Sequence, residues 1–115
     1  MKDLRSHGSK DWLLGTWQSD RDRTLERWQA SGNSVLAGLL GKELGKLQRR
    51  FTPKRSFSLF NGSKTSQTYR VVWHNSESVF VVYGSGRNES GELIYFDSQD
   101  IYRVASGEYF KRVGT

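Results

Sequence analysis

The sequence predicts a mainly β (α+β) chain: an antiparallel up-and-down barrel of about eight strands, with two short helices inserted after the first strand. Three observations predict it. After Gly45 apolar and polar residues alternate over short runs, residues that tolerate turn geometry recur between the runs, and one stretch of helical spacing separates the first run from the others. At 115 residues the chain suits one core, so 1–115 is read as a single domain.

The elements follow in order. Residues 1–10 are polar and read as a flexible start. Trp12 to Ser19 reads as the first strand. The helical insertion spans 20–45. Its first helix runs from Asp20 to Gln29, with Asp20, Asp22 and Glu26 ahead of Arg27, Leu25 and Trp28 on one face, and Gly32 as a stop. Asn33 or Ser34 caps the second, where Val35, Leu36, Leu39, Leu40 and Leu44 form a stripe that needs a partner. Gly38, Gly41 and Gly45 each weaken this helix by about 1 kcal/mol relative to Ala, so close packing of its backbone against the barrel is expected. The remaining strands are Lys46 to Phe51, Ser56 to Phe60, Gln67 to Trp73, Val79 to Tyr83, Glu92 to Phe96, Ile101 to Ala105 and Glu108 to Val113. About eight strands can close around side chains or one small ligand, and closure removes exposed edges.

Composition narrows the function classes. Four Trp, five Tyr and six Phe supply large rings suited to a small core or a pocket wall. With no cysteine, neither disulfides nor thiolate metal sites are available, and a reducing, cytoplasmic setting is expected. No apolar run approaches membrane-spanning length and no export signal is visible, so no membrane insertion is expected. Lys and Arg number 18 against 12 Asp and Glu, for a net charge of +6 and a pI near 9.8. Such a basic protein attracts anions of every kind.

The segment Leu13-Leu14-Gly15-Thr16-Trp17 carries a Gly-x-Trp signature at the opening of a β-rich chain, with two short helices after it. In this it resembles the lipocalins and the intracellular fatty-acid-binding proteins of the calycin superfamily. The stretch from Phe51-Thr52-Pro53 to Phe57 and the ending Tyr109 to Val113 are similar to those of small bacterial lipocalin-like domains of unassigned function. The resemblance implies that Gly15 and Trp17 mark one end of the barrel and that Arg112 packs across the Trp17 ring. The chain departs from it in lacking both the helix after the last strand of lipocalins and the Arg-x-Tyr carboxylate clamp of the fatty-acid carriers.

Two-residue turns at Ser98-Gln99 and Ser106-Gly107 would place Ile94, Phe96, Ile101, Arg103, Phe110 and Arg112 on one surface, and Leu93, Tyr95, Tyr102, Val104, Tyr109 and Lys111 on the other. The first set is favoured as interior because its uncharged members are wholly apolar. Arg103 is then the candidate to meet a ligand carboxylate or phosphate. Phe96 and Phe110 beside it, Tyr69 and Trp73 on a common face of their strand, and Trp28 on the first helix complete the candidate ligand-binding set. The expected partner is a small hydrophobic or amphipathic, anionic or neutral, ligand held without catalysis.

The alternative is a nucleic-acid or acidic-partner module using the outer basic surface, with Lys46, Arg49, Arg50, Lys54 and Arg55 as contacts and nearby Phe residues as stacking platforms. No recognised nucleic-acid motif accompanies it. No catalytic or metal-ligating residues and no cofactor are assigned. His7 lies in the polar start, and His74 with Glu77 reads as a strand-end pair rather than an acid/base couple. Ser85, Ser90 and Ser98 lack a nucleophile elbow, and Asp97 and Asp100 read as turn formers.

Overall fold

Strands with alternating apolar side chains can bury them together by curling into a closed sheet, and this chain does so. The structure is a computed structural model that describes residues 10–114; residues 1–9, including His7 and nearly all of the start read as flexible, lie outside them. The strands are β1 (Gly15–Ser19), β2 (Gln48–Phe51), β3 (Arg55–Phe60), β4 (Ser63–His74), β5 (Ser78–Tyr83), β6 (Ser90–Ser98), β7 (Ile101–Val104) and β8 (Tyr109–Gly114). They form an antiparallel barrel in sequence order, closed where β1 pairs with both β2 and β8. Helices α1 (Arg21–Ala30) and α2 (Ser34–Leu40) follow β1, and a 3-10 turn, Gly86–Asn88, lies between β5 and β6. No helix among the described residues is long and apolar enough to cross a membrane.

Local chemistry explains the insertion. Asp20 caps α1 by accepting from the Arg23 backbone N–H at 3.2 Å. One turn on, Thr24 is wholly buried and accepts from the Tyr109 N–H at 2.9 Å. Trp28, four residues further along the same face, donates its indole N–H to the Ser106 carbonyl at 3.0 Å. These two side chains dock α1 onto β8 and the β7–β8 turn. Helix α2 rests on α1, its Ala37 buried with Trp28 and Leu44 against Leu25; an added Cβ at Gly41 would meet Leu25 at 3.6 Å besides α2's own Ala37 carbonyl at 2.6 Å, and one at Gly45 would meet Arg21 at 3.0 Å. Gly45 lies against both layers, near Arg21 of α1 and bonded to β1 through Ser19 Oγ at 3.1 Å and Gln18 at 2.7 Å, while Gly38 has open space around it. Val35 and Leu39 remain exposed.

Turns set which residues point inward, and three differ from the sequence reading. At β3–β4, Asn61 (φ 50°) and Gly62 (φ 83°) form a two-residue turn between paired Phe60 and Ser63, so β4 begins four residues before Gln67. At β6–β7 the register shifts between Phe96 and Ser98, so Phe96 opposes Tyr102 and Ser98 opposes Ile101. At β7–β8, Gly107 (φ 90°) donates to the Val104 carbonyl at 2.9 Å, which closes a three-residue loop and pairs Tyr102 with Phe110. Both changes slip β7 by one residue, which exchanges its faces. Tyr102 and Val104 turn inward, while Ile101 and Arg103 turn outward.

Rings fill the barrel axis. Trp17 lies 4.6 Å from Tyr102, which stacks on Phe110 at 4.9 Å, while Phe96 reaches Trp12 at 5.7 Å and Tyr102 at 5.9 Å. Trp17, Tyr102, Phe51 and Phe110 are almost wholly buried, with Ile94, Val79 and Val81 between them. Gly107→Ala tests the turn that sets this arrangement. A side chain there is strained at positive φ, and its Cβ would stand 3.1 Å from the Trp28 indole nitrogen. The expected loss is about 2 kcal/mol, a fall in Tm of roughly 10 °C by thermal denaturation; an unchanged Tm would show that the turn has another form.

Candidate functional site

Leu47, Arg49 and Phe51 alternate along the chain entering and forming β2, so they share the inner face, while Gln48 and Arg50 face out. Arg49 is thus a cation inside the barrel, with 10% of its side chain exposed. A buried guanidinium needs partners for its donors. It donates to Tyr102 Oη at 3.2 Å, to Glu92 Oε1 at 2.8 Å and to Tyr83 Oη, while Tyr83 donates to the same Glu92 oxygen at 2.5 Å. Its plane lies over Phe51, with 5.0 Å to the ring centroid, and within 5.6 Å of the Phe110 centroid. The cluster unites β2, β5, β6 and β7.

Burial alone would lower the affinity of Arg49 for its proton, but the oxygens of Tyr102, Glu92 and Tyr83 outweigh burial and hold it charged above its ordinary value. Tyr83 and Tyr102 are both raised above the ordinary tyrosine value: burial is the main cause and Glu92 adds to it, although Arg49 opposes both. No buried side-chain nitrogen or oxygen among the described residues lacks a partner. Chemically this is a closed, nearly neutral knot.

At the helix-capped end of the barrel is a separate cleft of about 420 Å³ lined by Trp28, Leu40, Leu44, Leu47 and Phe60, with Glu43 and Glu108 at its polar edge. Glu43 lies 3.6 Å from Lys46, and Glu108 accepts from Ser19 at 2.8 Å. The cleft joins the α1–α2 layer, the β3–β4 turn and the β7–β8 turn.

The residues read from the sequence are placed as follows. Arg103 is outside the barrel because of the β7 slip; it lies 4.7 Å from the Tyr95 centroid and 3.4 Å from Asp97 Oδ1. It lines a 530 Å³ outer cleft with Trp12, Glu77, Tyr95, Asp97 and the edge of Phe96. Phe96 and Phe110 are buried core rings. Tyr69 faces inward, packs on Phe51 at 5.3 Å and donates to the Thr52 carbonyl at 2.5 Å, and burial raises its pKa. Trp73 does not share its face: the register shifts between Val71 and Trp73, and the ring stands half exposed outside. Trp28 alone of the set lines the helix-capped cleft. Gly15 (φ 130°) and Trp17 open β1, and Arg112 lies 4.3 Å from the Trp17 centroid.

Of the basic group, Arg49 is inside, Lys46 pairs with Glu43, Arg55 donates to Ser66 at 3.0 Å, and Arg50 and Lys54 are exposed. His74 and Glu77 are exposed on either side of the Asn75 turn with no hydrogen bond between them. Among the described residues no three His, Asp or Glu side chains gather to hold a metal. The Arg49 cluster escaped the sequence reading, although the Leu47-Arg49-Phe51 alternation carried the signal. No family model, curated protein or solved structure matches the chain.

Two predictions follow from the cluster. Because the folded-state pKa values of Tyr83 and Tyr102 are raised, their stabilising effect is whole below the ordinary value of 10.0 and is lost as pH rises above it. Their phenolate absorbance should therefore appear together with the loss of near-UV circular dichroism, and Tyr83→Phe should remove part of that coupled rise; phenolate formation in the intact fold would contradict their placement. Arg49→Met should destabilise by about 3 kcal/mol, because Glu92 is left without its cation. Adding Glu92→Gln should recover part of the loss in urea denaturation, whereas strict additivity would show that the two groups do not interact.

Proposed function

We propose that this chain is a non-enzymatic binding protein of the lipocalin-like, calycin kind, and that its ligand is a small apolar or amphipathic molecule held at the helix-capped mouth. The observation that carries the reading is the 420 Å³ cleft walled by Trp28, Leu40, Leu44, Leu47 and Phe60. Its volume falls in the range of small-molecule sites, about 300–1,000 Å³, and such sites are mostly apolar with a few polar groups. The Gly15-Thr16-Trp17 start, the Arg112 stack on Trp17 and the helices placed after β1 support the calycin assignment.

The mouth suits this role better than the lumen does. Stacked rings occupy the axis, and Arg49 among them is already bound by Glu92, Tyr83 and Tyr102. Arg103, first read as the anion-binding residue, stands outside beside Asp97. The polar groups at the mouth include the carboxylates of Glu43 and Glu108, which favour an apolar ligand with a neutral or cationic end over an anionic one.

Titration with the neutral fluorophore N-phenyl-1-naphthylamine tests the site. Leu40 is 44% exposed and Phe60 36% exposed, so both can be changed at the rim with little effect on the core. Leu40→Glu and Phe60→Ala should each weaken binding by roughly 10-fold, from the apolar area lost. Arg103→Ala should leave it unchanged. Loss of binding in Arg103→Ala with retention in the two mouth variants would move the site to the outer cleft and sink this reading.

A further inference from the structure

Charge is distributed unevenly along the chain. Residues 44–76 hold seven Lys and Arg and no Asp or Glu, while the rest of the chain holds 11 cations and 12 anions. The whole net charge therefore resides in the segment that forms β2, β3 and β4. Arg49 is turned inward, and Lys46 pairs with Glu43. The other five cations are on the exterior.

Register arranges that exterior in rows. Arg50 stands beside Phe57, and Phe57 beside Ser66; in the next row Gln48 stands beside Leu59, and Leu59 beside Lys64. Of these, Gln48, Arg50, Phe57, Leu59 and Lys64 line a groove of about 360 Å³ across β2–β4, with Thr16 of β1 at one edge. Arg50, Lys54 and Lys64 form no ion pair among the described residues, and the Arg55 guanidinium donates to the neutral Ser66 hydroxyl. The Phe57 ring is 39% exposed between them, and Trp73 is 50% exposed further along the outer side of β4. Arg70, which lies between these two rings in β4, pairs with Glu89, but both side chains are exposed and the pair is weak.

We propose that this outer face of β2–β4 binds single-stranded nucleic acid. Exposed rings among unpaired cations match that polymer at both of its repeating groups: a base stacks on Phe57, and phosphates lie against Arg50, Lys54 and Lys64. The face is built of strands and presents no helix of a size to enter a major groove, which disfavours duplex. Phe57 lies within a groove in mid-strand rather than at a protruding tip, so it cannot enter a flat anionic bilayer. This site is separate from the mouth and does not depend on it.

Fluorescence anisotropy of a labelled short oligothymidine with the full chain, at several salt concentrations, tests the proposal. Binding should weaken steeply with salt. Phe57→Ala should reduce affinity by roughly 5- to 100-fold. Arg50→Ala with Lys64→Ala should reduce it further and lower the log–log salt slope by about 1.4. Lys111→Ala, an exposed cation on β8, should bind as the parent does. All these side chains are exposed, and an unchanged thermal transition in each variant ensures that binding alone is compared. Absence of binding at low salt would overturn the proposal, as would a Phe57→Ala variant that binds like the parent. So would equal or tighter binding to duplex of the same length or to phosphatidylserine vesicles.

Discussion

Closure of the barrel rests on one guanidinium. The first and last strands must meet across almost the whole length of the chain, and Arg112 holds the place where they do. It lies 4.3 Å from the Trp17 centroid, donates to the Leu14 carbonyl at 2.7 Å and the Gln99 carbonyl at 2.7 Å, reaches the Trp12 carbonyl, and pairs with Asp100 at 2.9 Å. One planar group thereby joins the segment before β1, the β6–β7 turn and β8. A lysine has three donors on a point charge and could not satisfy that fan of acceptors while also stacking on the ring. With Trp17 held from one side by Arg112, its other side meets Tyr102 and Phe96, and the packing of the axis follows.

Much of this was legible in the sequence, and the losses have physical causes. Alternation located all eight strands, and the acidic residues ahead of Arg27 with Gly32 as a stop located α1. The Trp17–Arg112 pair came from the Gly-x-Trp resemblance. Inside-out assignment failed where a single residue was added to a turn. The shift at Asp97 needs no special residue type and leaves no mark in the sequence. The three-residue loop ending at Gly107 fits the same residues as a two-residue one. Each adds one residue, and β7 turned over between two strands whose interior residues, Ile94, Phe96 and Phe110, had been read correctly. Trp73 was lost for the same reason, by the bulge after Val71. Arg49 was lost differently: its position in a run of charges outweighed the Leu47-Arg49-Phe51 alternation that places it inside.

The inward turn of Arg49 has consequences for the rest of the molecule. A cation inside a small barrel must be neutralised nearby, and Glu92 with the hydroxyls of Tyr83 and Tyr102 does so at the expense of lumen space. The polar groups that could have recognised a ligand in the lumen are used to satisfy one another. The rings that surround them pack as a core. The side chains left exposed lie elsewhere, at the apolar mouth beneath the helices and on the basic outer face of β2–β4.

These two places differ in how firmly they are held. The outer face is made of paired strands, so Phe57 and its neighbours are positioned by backbone hydrogen bonds on both sides. The mouth is bounded partly by α1, which is fastened to the barrel through Thr24 and Trp28, partly by α2, whose Ala37 packs with Leu25 and Trp28 of α1, and partly by the turn after α2, which is tied to β1 where Gln18 donates to the Gly45 carbonyl at 2.7 Å and the Gly45 N–H donates to Ser19 Oγ at 3.1 Å. Leu40, at the end of α2, is therefore held through the helix pair, whereas Leu44 sits beside a residue bonded directly to β1. Elements with few buried contacts open at lower free energy than the body they cover. One wall of the cleft, at Leu40, is thus carried by helix–helix packing, while the walls at Leu44, Leu47 and Phe60 belong to or are tied to the strands of the barrel.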